Sequence, residues 1–141
     1  MILENIKYGR LRHLTLLDPE KYNRGNIDRI LGEIEMAGSD GILVGGSTGT
    51  DHERVDALVT AIKKKTSRPA ILFPSSPSAL SLQADGIFFL SLLNSSSLKY
   101  VIGYQVKAAR FLKKSRMEVI SVAYLVFEPG MTVGRVGKAK L

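Results

Sequence analysis

Short apolar runs alternate along this chain with segments in which apolar residues recur every three or four positions. The apolar runs predict strands at residues 14–17, 41–44, 70–73, 86–90 and 119–127. The periodic segments predict helices at residues 27–37, around 55–62 and at about 98–114. Such alternation is typical of a parallel sheet that is covered by helices. No helical period follows the fifth predicted strand, so no helix is expected there.

The connection between the third and fourth predicted strands differs from the others. It comprises the twelve residues 74–85, which include Pro74, Pro77 and several serines. This length is close to the minimum for a crossover between parallel strands, and proline disfavours the interior of a helix. We therefore expect an irregular connection in place of the third helix. The helical layer would have a gap at this point, and an apolar groove is expected to open through it.

Length and composition predict one globular domain, residues 1–141, without disulfides. The chain has 141 residues with 45% hydrophobic content and no cysteine, which excludes disulfide bonds and thiolate zinc sites. Its two histidines are too few for a typical zinc site. The first residues lack the apolar core of a signal peptide, and the longest apolar stretch is far shorter than the roughly 20 residues that span a bilayer. We expect a cytoplasmic protein without a transmembrane segment.

The net charge of +7 raises the question of nucleic-acid binding. The lysine clusters at residues 63–65 and 113–114 fall in the last turns of two predicted helices, where cations interact favourably with the helix dipole and with solvent. No aromatic residues lie between these lysines, so the sequence offers no surface for base stacking. The clusters are therefore interpreted as solvated helix ends, and no nucleic-acid partner is expected.

Two loops that follow predicted strands carry groups suited to a phosphate and a cation. Asp18 and Lys21 follow the first strand, and the segment 45–49 (GGSTG) follows the second. The carboxyl ends of parallel strands share one edge of the sheet, which is where α/β proteins bind ligands. Glycine lets backbone N–H groups approach an anion, and Ser47, Thr48 and Asp18 offer oxygen atoms to a phosphate or a metal. The sequence therefore predicts a phosphate-plus-cation site.

Seven motifs carry a resemblance to a known family. In chain order they are residues 13–21 (HLTLLDPEK), 41–49 (GILVGGSTG), 71–74 (ILFP), 77–80 (PSAL), 89–95 (FLSLLNS), 102–106 (IGYQV) and 123–130 (AYLVFEPG). Over nearly the whole chain, their order and spacing resemble the geranylgeranylglyceryl phosphate synthase family, the PcrB-like prenyltransferases. The resemblance implies a TIM barrel, the (β/α)8 fold, of which this chain would contain about the first five strands, with strands six to eight absent. The family is also similar in lacking a regular third helix.

The resemblance implies a magnesium-dependent prenyl transfer. The hydroxyl of sn-glycerol 1-phosphate would attack C1 of geranylgeranyl diphosphate and form the first ether bond of archaeal membrane lipids. The family pattern implies Mg2+ on Asp18 and Ser47, with Lys21 and Thr48 beside the diphosphate. Mg2+ prefers hard oxygen ligands and is usually coordinated by only one or two protein groups. The simpler alternatives are a turn role for Asp18, backbone capping by the two hydroxyls and solvation of Lys21.

No catalytic residue is assigned within this chain. The family's base lies on strand six and its acceptor-phosphate loops follow later strands, so these 141 residues alone are expected to be inactive. Glu128 belongs to the Glu-Pro-Gly motif after the fifth strand and is not interpreted as that base. Tyr100 and Tyr104, one turn apart on the last predicted helix, are candidates for a prenyl groove, with ordinary helix packing as the alternative. His13 is interpreted as a structural histidine.

Other functions compatible with the sequence fall into separate classes. A heptaprenylglyceryl phosphate synthase has the same chemistry with a longer prenyl chain. A non-catalytic half-barrel that binds phosphate or nucleic acid is favoured by the charge and by the missing strand. A different phosphate-binding barrel enzyme is disfavoured by the motif set alone. An open sheet edge predicts a homo-oligomer, and the prenyl substrate predicts peripheral contact with a membrane.

Overall fold

The computed structural model describes residues 1–10, 12–21, 25–46 and 51–141. Within these residues the strands are β1 (Leu14–Leu17), β2 (Gly41–Val44), β3 (Ala70–Leu72), β4 (Gly86–Leu92) and β5 (Glu118–Tyr124). The helices are α1 (Ile2–Lys7), α2 (Ile27–Met36), α3 (His52–Lys65), α4 (Tyr104–Lys114), which follows a π-helical turn (Lys99–Gly103), and α5 (Met131–Val136). No helix in these ranges is both long and apolar enough to cross a membrane.

The five described strands form one parallel sheet in the order β1-β2-β3-β4-β5. Each strand lies beside the next strand of the sequence, which is the arrangement of a (β/α)8 barrel. β1 and β2 pair from Leu14 opposite Gly41 to Leu17 opposite Val44. The predicted fold class is confirmed: the chain forms part of a (β/α)8-type barrel, with five parallel strands.

Alternate residues of the strands build two separate hydrophobic clusters. Ile42 and Val44 of β2 pack with apolar residues of α2, α3 and α4, which cover one face of the sheet. Leu43, which lies between them, belongs to the cluster on the other face, together with Ile71 and Ile120. Successive side chains of a strand point to opposite faces, so one apolar run supplies both clusters. Both faces of the sheet therefore carry apolar clusters, as the continuous apolar strands of the sequence predict.

The short helix α1 packs at the amino-terminal end of β4 and β5. The Glu118 carboxylate accepts hydrogen bonds from the backbone N–H of Leu3, at 2.9 Å, and from that of Ile2. Ile2 also lies against Gly86, where an added Cβ would come within 2.6 Å of the Ile2 Cδ1 atom. A glycine at this position therefore leaves the space into which the helix inserts its first apolar side chain.

Asp40 connects the segments that precede β1 and β2. Its Oδ2 atom accepts hydrogen bonds from the backbone N–H groups of Arg12, at 2.8 Å, and His13, at 2.9 Å. These two bonds, first that from Arg12, lower the pKa of the Asp40 carboxyl below its usual range. A carboxyl whose pKa is lowered on folding stabilises the fold fully above its ordinary pKa, and this contribution is lost as the pH falls through the lowered value.

We predict that Asp40→Asn lowers the free energy of unfolding at neutral pH and that the difference from the parent protein disappears in acid. The amide keeps the shape of the carboxyl but lacks the charge that strengthens both bonds. Urea unfolding at a series of pH values measures the effect. A variant that shows the same pH dependence as the parent would contradict this role of the Asp40 charge.

Several element boundaries differ from the sequence prediction. β3 ends at Leu72 and β5 at Tyr124, both earlier than expected, whereas β4 extends to Leu92. The expectation that no helix follows the fifth strand is wrong, because α5 occupies residues 131–136. Six residues, one of them a glycine, are too few to show a helical period in a sequence. Helix α5 is instead held by tertiary contacts, including the hydrogen bond that the Ser95 hydroxyl donates to the carbonyl of Gly137, directly after the helix, at 2.6 Å.

Candidate functional site

An apolar cavity of about 280 Å3 lies at the carboxyl end of the sheet. Two of its lining residues, Leu16 of β1 and Gly46 after β2, adjoin the loops in which the sequence predicts the phosphate-plus-cation site. The remaining walls come from the third connection, β4, β5, α4 and α5, and they include Phe73, Pro74, Pro77, Leu80, Phe88, Leu90, Leu92, Tyr124 and Val136. The cavity therefore joins the predicted polar loops to an apolar interior.

The cavity exists because β3 is short and no helix follows it. β3 and β4 pair at only two positions, Ile71 opposite Gly86 and Leu72 opposite Ile87, whereas β4 pairs with β5 along its whole length. Residues 74–85 contain no helix, as the sequence predicts. The upper half of β4 consequently has no strand beside it on this side, and the residues that follow β3 form no helix to cover it. The predicted apolar groove opens at this place.

Aromatic rings form much of the inner wall. Phe73 contacts Phe88 edge to face, with ring centroids 6.2 Å apart, and contacts Tyr124 in the same way at 6.0 Å. Such geometry places the positive edge of one ring against the negative face of the next. The three rings come from β4, from the end of β5 and from the residue after β3, so their contact depends on the sheet and is not visible as a motif in the sequence.

Tyr100 and Tyr104 both line the cavity, on the side formed by the π-helical turn and α4. Their rings meet edge to face at 5.4 Å. The Lys99 Nζ atom lies 4.9 Å from the centroid of the Tyr100 ring and 5.1 Å from that of Tyr104. Hydrogen bonding to the side chains of Tyr104 and Tyr100 raises the pKa of the Lys99 ammonium above its usual range. The Lys99 cation thus lies beside both rings, and the contact of these rings with a prenyl chain stays a prediction.

Gln105 lines the cavity but had no role in the sequence prediction. It is buried, with 6% exposure, on a helix face that otherwise carries the apolar residues Ala108 and Leu112. Its Nε2 group donates hydrogen bonds to the Leu90 carbonyl and, at 3.1 Å, to the Ser91 hydroxyl. A polar residue within the apolar period of a helix was the available signal in the sequence. Its partner could not be named without the fold.

Asp18 directly follows β1 and is half-buried. Its Oδ1 atom accepts a hydrogen bond from the backbone N–H of Glu20 at 3.0 Å, and its carbonyl accepts one from Lys21 N–H at 3.0 Å. The chain thus turns at Asp18, and the exposed Lys21 lies in the same turn. The candidate residues Ser47 and Thr48 lie outside the described residues, so their predicted roles stay predictions.

Other candidate residues have structural partners. His13 Nδ1 is hydrogen-bonded to the Ser39 hydroxyl at 2.8 Å, in agreement with its structural interpretation. The lysines at residues 63–65 lie in the last turn of α3, as predicted, and Lys65 pairs with Asp28 at 2.7 Å. Among the described residues, no group of three or more histidine, cysteine, aspartate or glutamate side chains is placed to hold a metal ion. A metal at this site would therefore need few protein ligands.

The geometry can be compared with known proteins. The sequence profile of the PcrB family matches residues 6–141. The chain belongs to the PcrB family. It is 52% identical over 140 residues to the geranylgeranylglyceryl phosphate synthase of Thermoplasma acidophilum, and 44% identical over 139 residues to that of Pyrococcus abyssi. Each alignment covers 99% of this chain and 55% of the relative, so this PcrB-family chain spans little more than half the length of these relatives.

Solved structures agree with this PcrB-family assignment. The geranylgeranylglyceryl phosphate synthase of Thermoplasma acidophilum in complex with sn-glycerol-1-phosphate superposes with a TM-score of 0.89 at 52% identity, over 99% of this chain and 56% of that one. A structure named wild-type GGGPS from Thermoplasma volcanium gives a TM-score of 0.93 at 49% identity, over 100% and 58%. The described half-barrel therefore has a backbone closely similar to the matching part of these proteins.

Proposed function

We propose that this chain supplies the prenyl-diphosphate site of a geranylgeranylglyceryl phosphate synthase. The observation that carries the proposal is the apolar cavity that begins beside the two polar strand-end loops, at Leu16 and Gly46. A prenyl diphosphate would match this arrangement, because it has a charged head for the polar loops and a long apolar tail for the cavity. In the proposed reaction the hydroxyl oxygen of sn-glycerol 1-phosphate bonds to C1 of geranylgeranyl diphosphate, diphosphate leaves with the electrons of the broken C–O bond, and the hydroxyl proton passes to a base.

The tail is proposed to lie among the aromatic and aliphatic walls of the cavity. Burial of apolar surface contributes about 25 cal/mol per Å2, so a long prenyl chain gains affinity from every wall that it contacts. Tyr100 and Tyr104 are proposed to form one side, held by Lys99. Phe73, Phe88 and Tyr124 are proposed to form another. These apolar walls are also proposed to keep water away from the reacting carbon.

Mg2+ is the proposed cofactor, and the residues present fit it. Asp18 uses its Oδ1 atom in the turn to Glu20, and its Oδ2 atom accepts no hydrogen bond from any described residue. A free carboxylate oxygen beside a phosphate site is a typical magnesium ligand, and one or two such groups suffice. Ser47 is proposed as the second ligand, with Lys21 and Thr48 beside the diphosphate. When bound, Mg2+ stabilises negative charge on the departing diphosphate.

A direct assay tests the proposal. The protein expressed from its complete natural coding sequence is incubated with geranylgeranyl diphosphate, sn-glycerol 1-phosphate and Mg2+, and the ether product is identified by mass spectrometry. We expect product that disappears with EDTA and returns with added Mg2+. The enantiomer sn-glycerol 3-phosphate serves as the acceptor control. A folded protein that forms no product, or forms it equally in EDTA, would contradict the proposal.

Prenyl length and assembly belong to the same proposal. Geranylgeranyl is chosen over heptaprenyl because the similar proteins named above carry the geranylgeranyl name. The outer face of β5 is uncovered in the described residues, with Val119 42% exposed, so further polypeptide or a second copy is expected to cover it. A homo-oligomer, peripheral membrane contact and a cytoplasmic location accordingly stay predictions.

A further inference from the structure

The upper half of β4 leaves one backbone edge without a strand partner. The N–H of Leu93 donates to the Tyr124 carbonyl, so this residue faces β5. Alternate residues of a strand in a parallel sheet face opposite neighbours, so the carbonyl of Leu90 faces the side of β3. β3 has already ended at Leu72. The Leu90 carbonyl therefore points to the edge along which the apolar cavity runs.

The Gln105 side chain takes the place of the missing strand. Its Nε2 group donates to the Leu90 carbonyl and to the Ser91 hydroxyl, and the residue is almost completely buried. These bonds join α4 to β4 across the gap. A carbonyl that faces an apolar cavity needs a hydrogen-bond donor, and the Leu90 carbonyl receives it from a side chain that occupies less width than a strand would. The gap beside β4 can therefore stay open.

The orientation of the amide shows which of its interactions is decisive. Gln105 Oε1 is buried and has no hydrogen-bond partner among the described residues. An unpaired buried oxygen is unfavourable, by an amount comparable to a lost hydrogen bond. The side chain nevertheless directs Nε2, and not Oε1, to β4. Donation to the Leu90 carbonyl is thus the interaction that fixes this residue.

We propose that Gln105 is a positioning residue that keeps the prenyl slot, which is the part of the apolar cavity beside β4, open and free of water. The inference rests on the proposed function. An apolar tail cannot satisfy the Leu90 carbonyl. Without the amide donor, water has to enter the slot to hydrogen-bond that carbonyl, and the prenyl chain would have to displace it. Gln105 removes this requirement, and it does so without contact with the reacting atoms.

The test compares binding of two ligands by calorimetry in the presence of Mg2+. Geranylgeranyl thiolodiphosphate, which is not hydrolysed, occupies both the polar loops and the slot, whereas inorganic diphosphate occupies only the loops. The variants are Gln105→Met, which keeps the size of the side chain but lacks the donor, and Gln105→Glu, which keeps its shape. Val106→Ala is the matched control, because Val106 is the next residue of α4 and is 68% exposed.

Gln105→Met is expected to weaken the thiolodiphosphate about tenfold, the effect of one unpaired buried carbonyl, and to leave inorganic diphosphate unchanged. Gln105→Glu is expected to do the same at a pH at which its carboxyl is ionised and has no proton to donate, and Val106→Ala to change neither ligand. Equal losses for both ligands, or no loss for the thiolodiphosphate in a folded variant, would overturn the inference. If the parent protein binds the thiolodiphosphate no more tightly than inorganic diphosphate, the proposed function itself fails, and that result is distinct from the behaviour of the variants.

Discussion

Replacement of Gly45 by alanine is expected to cost about 3 kcal/mol or more of the free energy of unfolding. A Cβ atom at this position would lie 1.9 Å from the carbonyl oxygen of Phe73 and 2.8 Å from its carbonyl carbon. Both are backbone atoms, so no side-chain rotation relieves the contact. To relieve the contact, the ends of β2 and β3 would have to move apart. The hydrogen bond that Gly45 N–H donates to the Leu17 carbonyl of β1, at 3.1 Å, opposes this movement. Urea unfolding monitored by circular dichroism measures the loss.

Gly32 provides the matched control for this prediction. It lies within α2 and is exposed, and an added Cβ there meets nothing within 4 Å. Gly32→Ala is therefore expected to stabilise the protein by about 0.5–1 kcal/mol, since alanine favours a helix interior over glycine. Both substitutions add one methyl group, but Gly45→Ala is expected to lower the free energy of unfolding and Gly32→Ala to raise it. A Gly45→Ala protein as stable as the parent would show that the β2–β3 contact is looser than described.

The Gly45 contact also connects the polar loop to the cavity. Gly45 precedes Gly46, which lines the cavity, and its close neighbour Phe73 forms part of the aromatic wall with Phe88 and Tyr124. Displacing the Phe73 backbone would move that ring. We therefore expect any folded Gly45→Ala protein to lose prenyl-diphosphate affinity as well as stability, whereas Gly32→Ala should bind as the parent does.

The parts of the fold that were predictable are those in which one local signal decides the structure. β1 and β2 have the predicted bounds because each is a short apolar run between turn residues. α3 begins after Asp51, whose side chain accepts a hydrogen bond from Arg54 N–H at 2.9 Å, as expected of a helix cap. The irregular third connection followed from Pro74 and Pro77.

The parts that were not predictable depend on contacts between distant segments. α1 and α5 have six residues each, and they persist through contacts such as those of Ile2 with Gly86 and of Ser95 with Gly137, directly after α5. Short helices are marginal by propensity alone. Gln105 became interpretable only when β3 proved too short to pair with Leu90. The groove was predicted for the correct reason, the missing third helix. Its aromatic walls could not be predicted, because the three rings come together only in the folded sheet.

The second large effect is expected at Asp18. In the protein expressed from its complete natural coding sequence, Asp18→Asn should lower kcat/KM for prenyl transfer at least about a hundredfold, because it removes the charged oxygen proposed to hold Mg2+ where charge develops on the diphosphate. The fold should be retained, since the amide oxygen can still accept the hydrogen bond from Glu20 N–H that Oδ1 accepts now, at 3.0 Å. Steady-state kinetics with varied Mg2+, together with urea unfolding, separate the two expectations.

Glu20→Gln is the control that separates a bound metal from general electrostatics. Glu20 is an exposed carboxylate two residues away in the same turn, so its neutralisation changes the local field by the same charge without touching the proposed ligand. Exposed charges are well screened by salt and water, and we expect kcat/KM and the Mg2+ dependence to stay close to those of the parent. Inorganic diphosphate should bind Glu20→Gln more tightly when Mg2+ is added, and Asp18→Asn equally with or without it. An Asp18→Asn protein that keeps the Mg2+ enhancement would place the metal on other residues.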